Sequence, residues 1–241
     1  MSTATASLLG VRRRNRSPWV ARFVEIAHRL VARHGVPSLG NFRDPVKEIL
    51  YILLSAKTTD AQYRLTHRKL MAAFPTLAEL ATARVRDVRR CIESGGLAGK
   101  RAGQVVRIAR AVTAECGARP ARFLRSLAAR EAYDFLISLP GVGPKSAFCV
   151  MMYSLDFDVF AVDVNVQRIA ERLGAIRRGS THHQAQRRLA AVAPDGHGKP
   201  LHVAMVVHGR TVCLPRKPRC GDCCLADLCA VGRKRKGEPN G

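Results

Sequence analysis

No apolar run in this sequence approaches the ~18 to 20 residues that a membrane span needs, and the N-terminus has neither the apolar core nor the cleavage site of a secretory signal. No membrane-spanning helix is expected, and a cytoplasmic protein is. Acidic side chains are scarce: 18 Asp and Glu stand against 41 Lys and Arg, a net charge of +23. That imbalance makes an extended anion such as nucleic acid the first partner to consider, with an acidic membrane surface second. The basic tails, VRRRNRS at 11–17 and RKRK at 233–236, do not account for it, because residues 19–232 alone keep 33 basic and 17 acidic side chains, or +16. Strand signals are nearly absent as well, no internal repeat is found, and flexible polar stretches are confined to the tails.

What remains is helical periodicity with helix punctuation, which predicts an all-α protein. Trp19, Phe23, Ile26, Leu30 and Val31 line one face of a first helix that stops at Gly35. Asp44 and Pro45 suit the cap and first position of a helix through Ala56. Another starts at Thr59 or Asp60, and Thr76 with Glu79 forms a capping-box pattern. Further helices are expected over 84–93, 101–115, 130–138 and 144–155.

Eight cysteines in a reducing compartment are thiols or metal ligands rather than a disulfide framework. Cys91, Cys116 and Cys149 are scattered and read as small apolar groups. The other five crowd together, and Cys213, Cys220, Cys223 and Cys229 follow the spacing C-x6-C-x2-C-x5-C. Four thiolates in 17 residues suit an iron–sulfur cluster, whereas structural zinc more often uses two separated CxxC knuckles. Cys224, next to Cys223, reads as a bystander.

The stretch LPGVGPKSA, Leu139–Ala147, combines Gly141 and Gly143, which can adopt conformations closed to other residues, with Pro144, suited to a first helical turn. The expected result is helix, tight hairpin, helix. Such a turn can be a mere connection that needs glycine. It can also present N–H groups and a helix N-terminus to a phosphate, gripping a DNA backbone without reading sequence.

Taken together, the hairpin string and the cysteine spacing resemble the endonuclease III family of DNA glycosylases, over roughly residues 40–230. Several expectations follow from the resemblance. Lys145 is the nucleophile, and Asp163, eighteen residues on in VDVNVQRIAERLG, is the essential carboxylate; Asp163 could equally cap the helix carrying Val166, Ile169, Ala170 and Leu173. Cys213, Cys220, Cys223 and Cys229 hold a [4Fe–4S] cluster. Arg216 and Lys217, on the loop between the first two ligands, face the DNA backbone or, more plainly, solvent. Leu97 is an apolar wedge entering double-stranded DNA behind a flipped damaged base, or a core leucine. The fold implied is two helical domains flanking a DNA-binding cleft: a six-helix barrel over 42–157, and a cluster domain built from 158–232 and the helix of 18–41, with basic tails at 1–17 and 233–241. A monomer associated with the nucleoid is expected.

Two departures affect substrate choice. Lys57 stands where the family usually has glutamine, offering donors only. Val164-Asn165 follows Asp163 where Thr-His is typical, and this asparagine is more like the plant branch acting on 5-methylcytosine. Three readings follow: a bifunctional glycosylase and AP lyase on oxidised pyrimidines, the same catalyst aimed at mismatched thymine or modified cytosine, and a non-catalytic DNA-binding iron–sulfur protein.

Overall fold

The computed structural model describes residues 17–55, 58–95 and 97–236, and these fold into helices with no strand among them. The chain divides into two compact units, one of Asn41–Phe157 and one made from the segments on either side of it.

The discontinuous unit begins with α1, Pro18–His34. Ser17 caps it, its hydroxyl accepting from the Trp19 N–H at 3.3 Å, and Pro18 sits where its missing donor costs nothing. The expected stripe is buried: Phe23, Ile26 and Leu30 are fully inaccessible, with Trp19 and Val31 packed at the margin. They pack with residues of α10 (Val164–Leu173), α11 (His182–Ala190) and α12 (Gly198–Thr211). A short 3₁₀ turn, Cys220–Asp222, and α13, Ala230–Lys236, complete this unit.

Just before α10 runs an extended segment, Val159–Val162, that is buried without sheet partners. Its polar backbone therefore needs side-chain partners. Buried Gln186 supplies two of them, accepting from the Val162 N–H at 3.0 Å and donating to the Phe160 carbonyl at 2.7 Å, while His202 Nδ1 meets the Ala161 carbonyl at 2.7 Å. Asp163 thus emerges from a fixed stem.

The continuous unit holds α2 (Pro45–Ser55), α3 (Asp60–Ala73), α4 (Leu77–Thr82), α5 (Val85–Ile92), α6 (Ala98–Cys116), α7 (Pro120–Ser126), α8 (Ala129–Ser138) and α9 (Pro144–Ser154). The predicted caps are present: Asp44 Oδ1 accepts from the N–H groups of Val46 and Lys47, and Thr76 and Glu79 close a capping box. α2 and α9 are apolar around most of their circumference, VKEILYILL and AFCVMMYS, and are buried accordingly, with Lys47 of α2 left exposed. Glu48 is the buried charge within α2. Fully buried, it accepts from Asn41 Nδ2 and the Phe42 N–H and so ties down the segment leading into the unit. Cys116 and Cys149 are buried as expected, while Cys91 is only half-buried.

Candidate functional site

The hairpin joins α8 to α9. Leu139 and Val142 are buried and anchor it, with the Val142 N–H donating to the Leu139 carbonyl at 3.1 Å. The two glycines turn out to have different reasons. Gly141 has φ +86°, a conformation side chains avoid, and a Cβ there would also meet the Gln104 carboxamide. Gly143 has φ −101° and ψ 177°, open to any residue, and nothing lies within 4 Å of where its Cβ would be. Neither backbone nor packing asks for glycine at 143. Lys145, half-buried, is the second residue of α9.

In the other unit Asp163 is the N-cap of α10. Its Oδ1 accepts from the N–H groups of Asn165 at 2.9 Å and Val166 at 2.8 Å, and its Oδ2 accepts from Asn165 Nδ2 at 3.0 Å. Three donors and a helix N-terminus around one carboxylate suit a negative charge. Asn165 Oδ1 in turn accepts from Arg168 Nη2 at 2.9 Å, and Arg168 also donates to the carbonyls of Gly209 at 2.8 Å and Cys213 at 3.0 Å. Gly209 is needed for this approach, since a Cβ there would lie 2.7 Å from Asn165 Cβ. Val164, between Asp163 and Asn165, is 73% exposed.

The four spaced cysteines come together. Cys213, Cys220, Cys223 and Cys229 line one cavity with Arg172, Val212, Pro218 and Val231. Burial pushes the Cys223 thiol up to about 11, and the nearby Cys224, Cys213 and Cys229 add their repulsion. Such a thiol stays protonated unless a cation compensates it, which is what a metal centre does. Four thiols around one cavity are the donor set that an iron–sulfur cluster takes. The neighbouring N–H groups already point at sulfur: Arg172 Nη1 at 3.0 Å from Cys213 Sγ, and the Leu225 N–H at 3.4 Å from Cys223 Sγ.

The loop from Leu214 to Arg219 is held by more than its cysteines. Arg172 forks onto the carbonyls of Leu214 and Pro215, each at 2.8 Å, while the Arg219 N–H returns to the Val212 carbonyl. Arg216 and Lys217 are exposed on it. Arg168 and Arg172 carry much of this architecture, and neither is among the residues expected from the sequence. A signal for them exists there all the same: four residues apart, they share the face of α10 opposite its apolar stripe.

Leu97 caps α6 in the left-handed region, φ +62°, and is 51% exposed. It is not a core leucine. Lys57 lies outside the described residues.

Against known proteins, residues 50–195, more than half of the chain, match the family described as HhH-GPD superfamily base excision DNA repair protein. The chain belongs to that family. Residues 213–229 match the iron–sulfur binding domain of endonuclease III. Endonuclease III of Thermotoga maritima is 30% identical across 89% of this chain and 95% of its own, and endonuclease III of Escherichia coli is 30% identical across 89% and 97%. In fold, the chain is similar to an endonuclease III from a trapped covalent DNA intermediate, with a TM-score of 0.79 and 24% identity over 90% of this chain and 98% of that one. A thermostable thymine-DNA glycosylase is similar as well, at 0.76 and 22% over 90% and 97%. With the endonuclease III relatives and the iron–sulfur domain match beside the family match, the enzyme is a base excision DNA glycosylase with AP lyase activity, and its cofactor is a [4Fe–4S] cluster. Cys213, Cys220, Cys223 and Cys229 are the four side chains that would hold it.

Proposed function

We propose that this HhH-GPD protein excises oxidised pyrimidines from double-stranded DNA and then nicks the strand, with Lys145 as nucleophile and Asp163 as its electrostatic partner. The observation that carries the reading is the hairpin beside Lys145. Gly143 leaves room that nothing in its surroundings fills, and the N-terminus of α9 adds partial positive potential there. A phosphate of the DNA backbone fits that space, and it would bring a sugar within reach of Lys145.

The chemistry follows from the residue types. The neutral Lys145 amine attacks the sugar C1′, the bond from C1′ to the base breaks, and the base leaves with the electron pair. Positive charge that develops on the sugar is stabilised by the Asp163 carboxylate, which can also take the proton shed by the attacking amine. The sugar ring then opens, the C1′–O4′ bond breaking as the nitrogen lone pair forms C1′=N and O4′ takes up a proton, and the resulting Schiff base acidifies the C2′ proton. Its loss expels the 3′ phosphate by β-elimination, and water then frees Lys145.

The damaged base must leave the stack first, and Leu97 suits the gap behind it. An exposed leucine in a left-handed conformation is costly both in solvation and in backbone, so a role outside the folded chain accounts for it. Lys57, with donors only, favours an opposite guanine, whose O6 and N7 accept, over adenine, which also presents a donor. We take the enzyme to act as a monomer on nucleoid DNA in the cytoplasm.

Borohydride reduction tests the assignment. Wild-type protein on abasic duplex should be trapped as a covalent adduct and Lys145→Gln should not; trapping of the variant at the wild-type rate would move the nucleophile elsewhere. A second substrate reading, mismatched thymine or modified cytosine, is favoured by Val164-Asn165 at the start of α10. Cleavage of duplexes carrying single defined lesions separates the two.

A further inference from the structure

Beyond the Asp163 network, one chain of contacts runs from the end of α1 to a cluster ligand. His208 is buried in α12, 1% exposed, and each of its ring nitrogens faces one partner. Nε2 lies 3.4 Å from Cys223 Sγ, and Nδ1 lies 3.0 Å from Nε2 of His34, the half-buried last residue of α1. We propose that His34 and His208 form a hydrogen-bond relay that ends on the Cys223 sulfur and sets the reduction potential of the iron–sulfur cluster.

The direction of the relay follows from valence. As a ligand, Cys223 is a thiolate and can only accept, so the nitrogen facing it must carry the proton. A neutral imidazole protonated at Nε2 is bare at Nδ1, and that nitrogen needs a donor. His34 Nε2–H supplies it. Each ring thereby fixes the tautomer of the next, and the donor aimed at sulfur is maintained by a residue that does not touch the sulfur.

Cys223 Sγ then receives two N–H groups, from His208 and from the backbone of Leu225. Reduction raises the negative charge on the ligating sulfurs, so N–H donors stabilise the reduced form more than the oxidised one and raise the potential. Removing His208 leaves one donor. Removing His34 leaves His208 free to turn over to the other tautomer, which no longer donates to sulfur. Both are therefore positioning residues, acting through a ligand of the cofactor rather than on DNA.

The test is protein-film voltammetry of the full chain, with iron counted in every sample. His208→Phe should lower the potential, and His34→Leu should lower it by less. His34→Gln should restore the wild-type value, because its carboxamide N–H can replace the lost donor, and His34→Leu should add nothing in the His208→Phe background. If His208→Phe fails to fold or loses iron, the comparison of His34→Leu with His34→Gln decides alone. A His34→Leu potential equal to wild type, or a His34→Gln potential equal to that of His34→Leu, overturns the relay while leaving the cluster in place. A wild-type protein without iron overturns both.

Discussion

Asn165 holds both oxygens of Asp163, its backbone N–H on Oδ1 and its side-chain Nδ2 on Oδ2. The orientation of that amide is not free. Its Oδ1 faces Arg168, which can only donate, so the NH₂ must point at the carboxylate. Capping a helix and presenting a carboxylate are thus one arrangement, with Oδ1 turned to the helix and Oδ2 held by a side chain.

The two functions can be separated by substitution. Asp163→Asn keeps a good N-cap and should fold normally, yet slow base release by orders of magnitude, since a neutral amide cannot stabilise a cationic sugar. Asn165→Ala should slow it by on the order of 10- to 100-fold, the range expected for one hydrogen bond to a charged group. DNA affinity should barely change in either. Single-turnover excision at wild-type rate by Asn165→Ala would mean that Oδ2 needs no positioning.

Much of the helical framework is legible in the sequence because its signals are local. Asp44-Pro45 and Thr76 with Glu79 each declare a helix start through contacts within four residues. The cysteine spacing is legible for a similar reason, since a loop must bring its own ligands together. The Arg168, Arg172 and His208 contacts are not, because their partners lie 15 to 45 residues away in sequence. His34 and His208 are 174 residues apart, and no periodicity encodes such a pairing. The cause of Gly143 is hidden too, as sequence does not distinguish a glycine wanted by the backbone from one whose space stays empty.

The exposed loop charges give a measurable contribution. Arg216 and Lys217 sit on backbone pinned by Arg172, so their charges are held near fixed positions rather than averaged over solvent. The logarithm of affinity for undamaged duplex should fall with the logarithm of salt, and changing both residues to Ala should flatten the slope by about 0.9 for each phosphate that is no longer neutralised. An unchanged slope would show that the loop stays in solvent.

Leu97 trades stability against function. Leu97→Gly removes a left-handed leucine and supplies a better N-cap for α6, which should stabilise the fold by up to about 1 kcal/mol in chemical denaturation. The same change removes the apolar side chain and should slow excision of a paired lesion, while cleavage at an abasic site suffers less. A stabilised variant with full excision activity would leave the strain at Leu97 without a function.

The hairpin glycines provide the most direct separation of folding from binding. Gly141→Ala forces a side chain into φ +86° and against Gln104, so it should cost about 1 to 2 kcal/mol of stability. Gly143→Ala meets open space in an extended conformation. There the reduced entropy of the unfolded chain, about 0.4 kcal/mol or more, is offset by alanine's poorer capping of α9, and stability should hardly move. Duplex affinity should nevertheless fall for Gly143→Ala, because its methyl group occupies the space proposed for a phosphate. Denaturation curves and duplex titrations on the two variants give a crossed result if this is right: stability lost at 141, affinity lost at 143. Unaltered affinity in Gly143→Ala would mean that the DNA backbone does not approach this turn closely, and the reading of the hairpin as a phosphate clamp would have to be withdrawn.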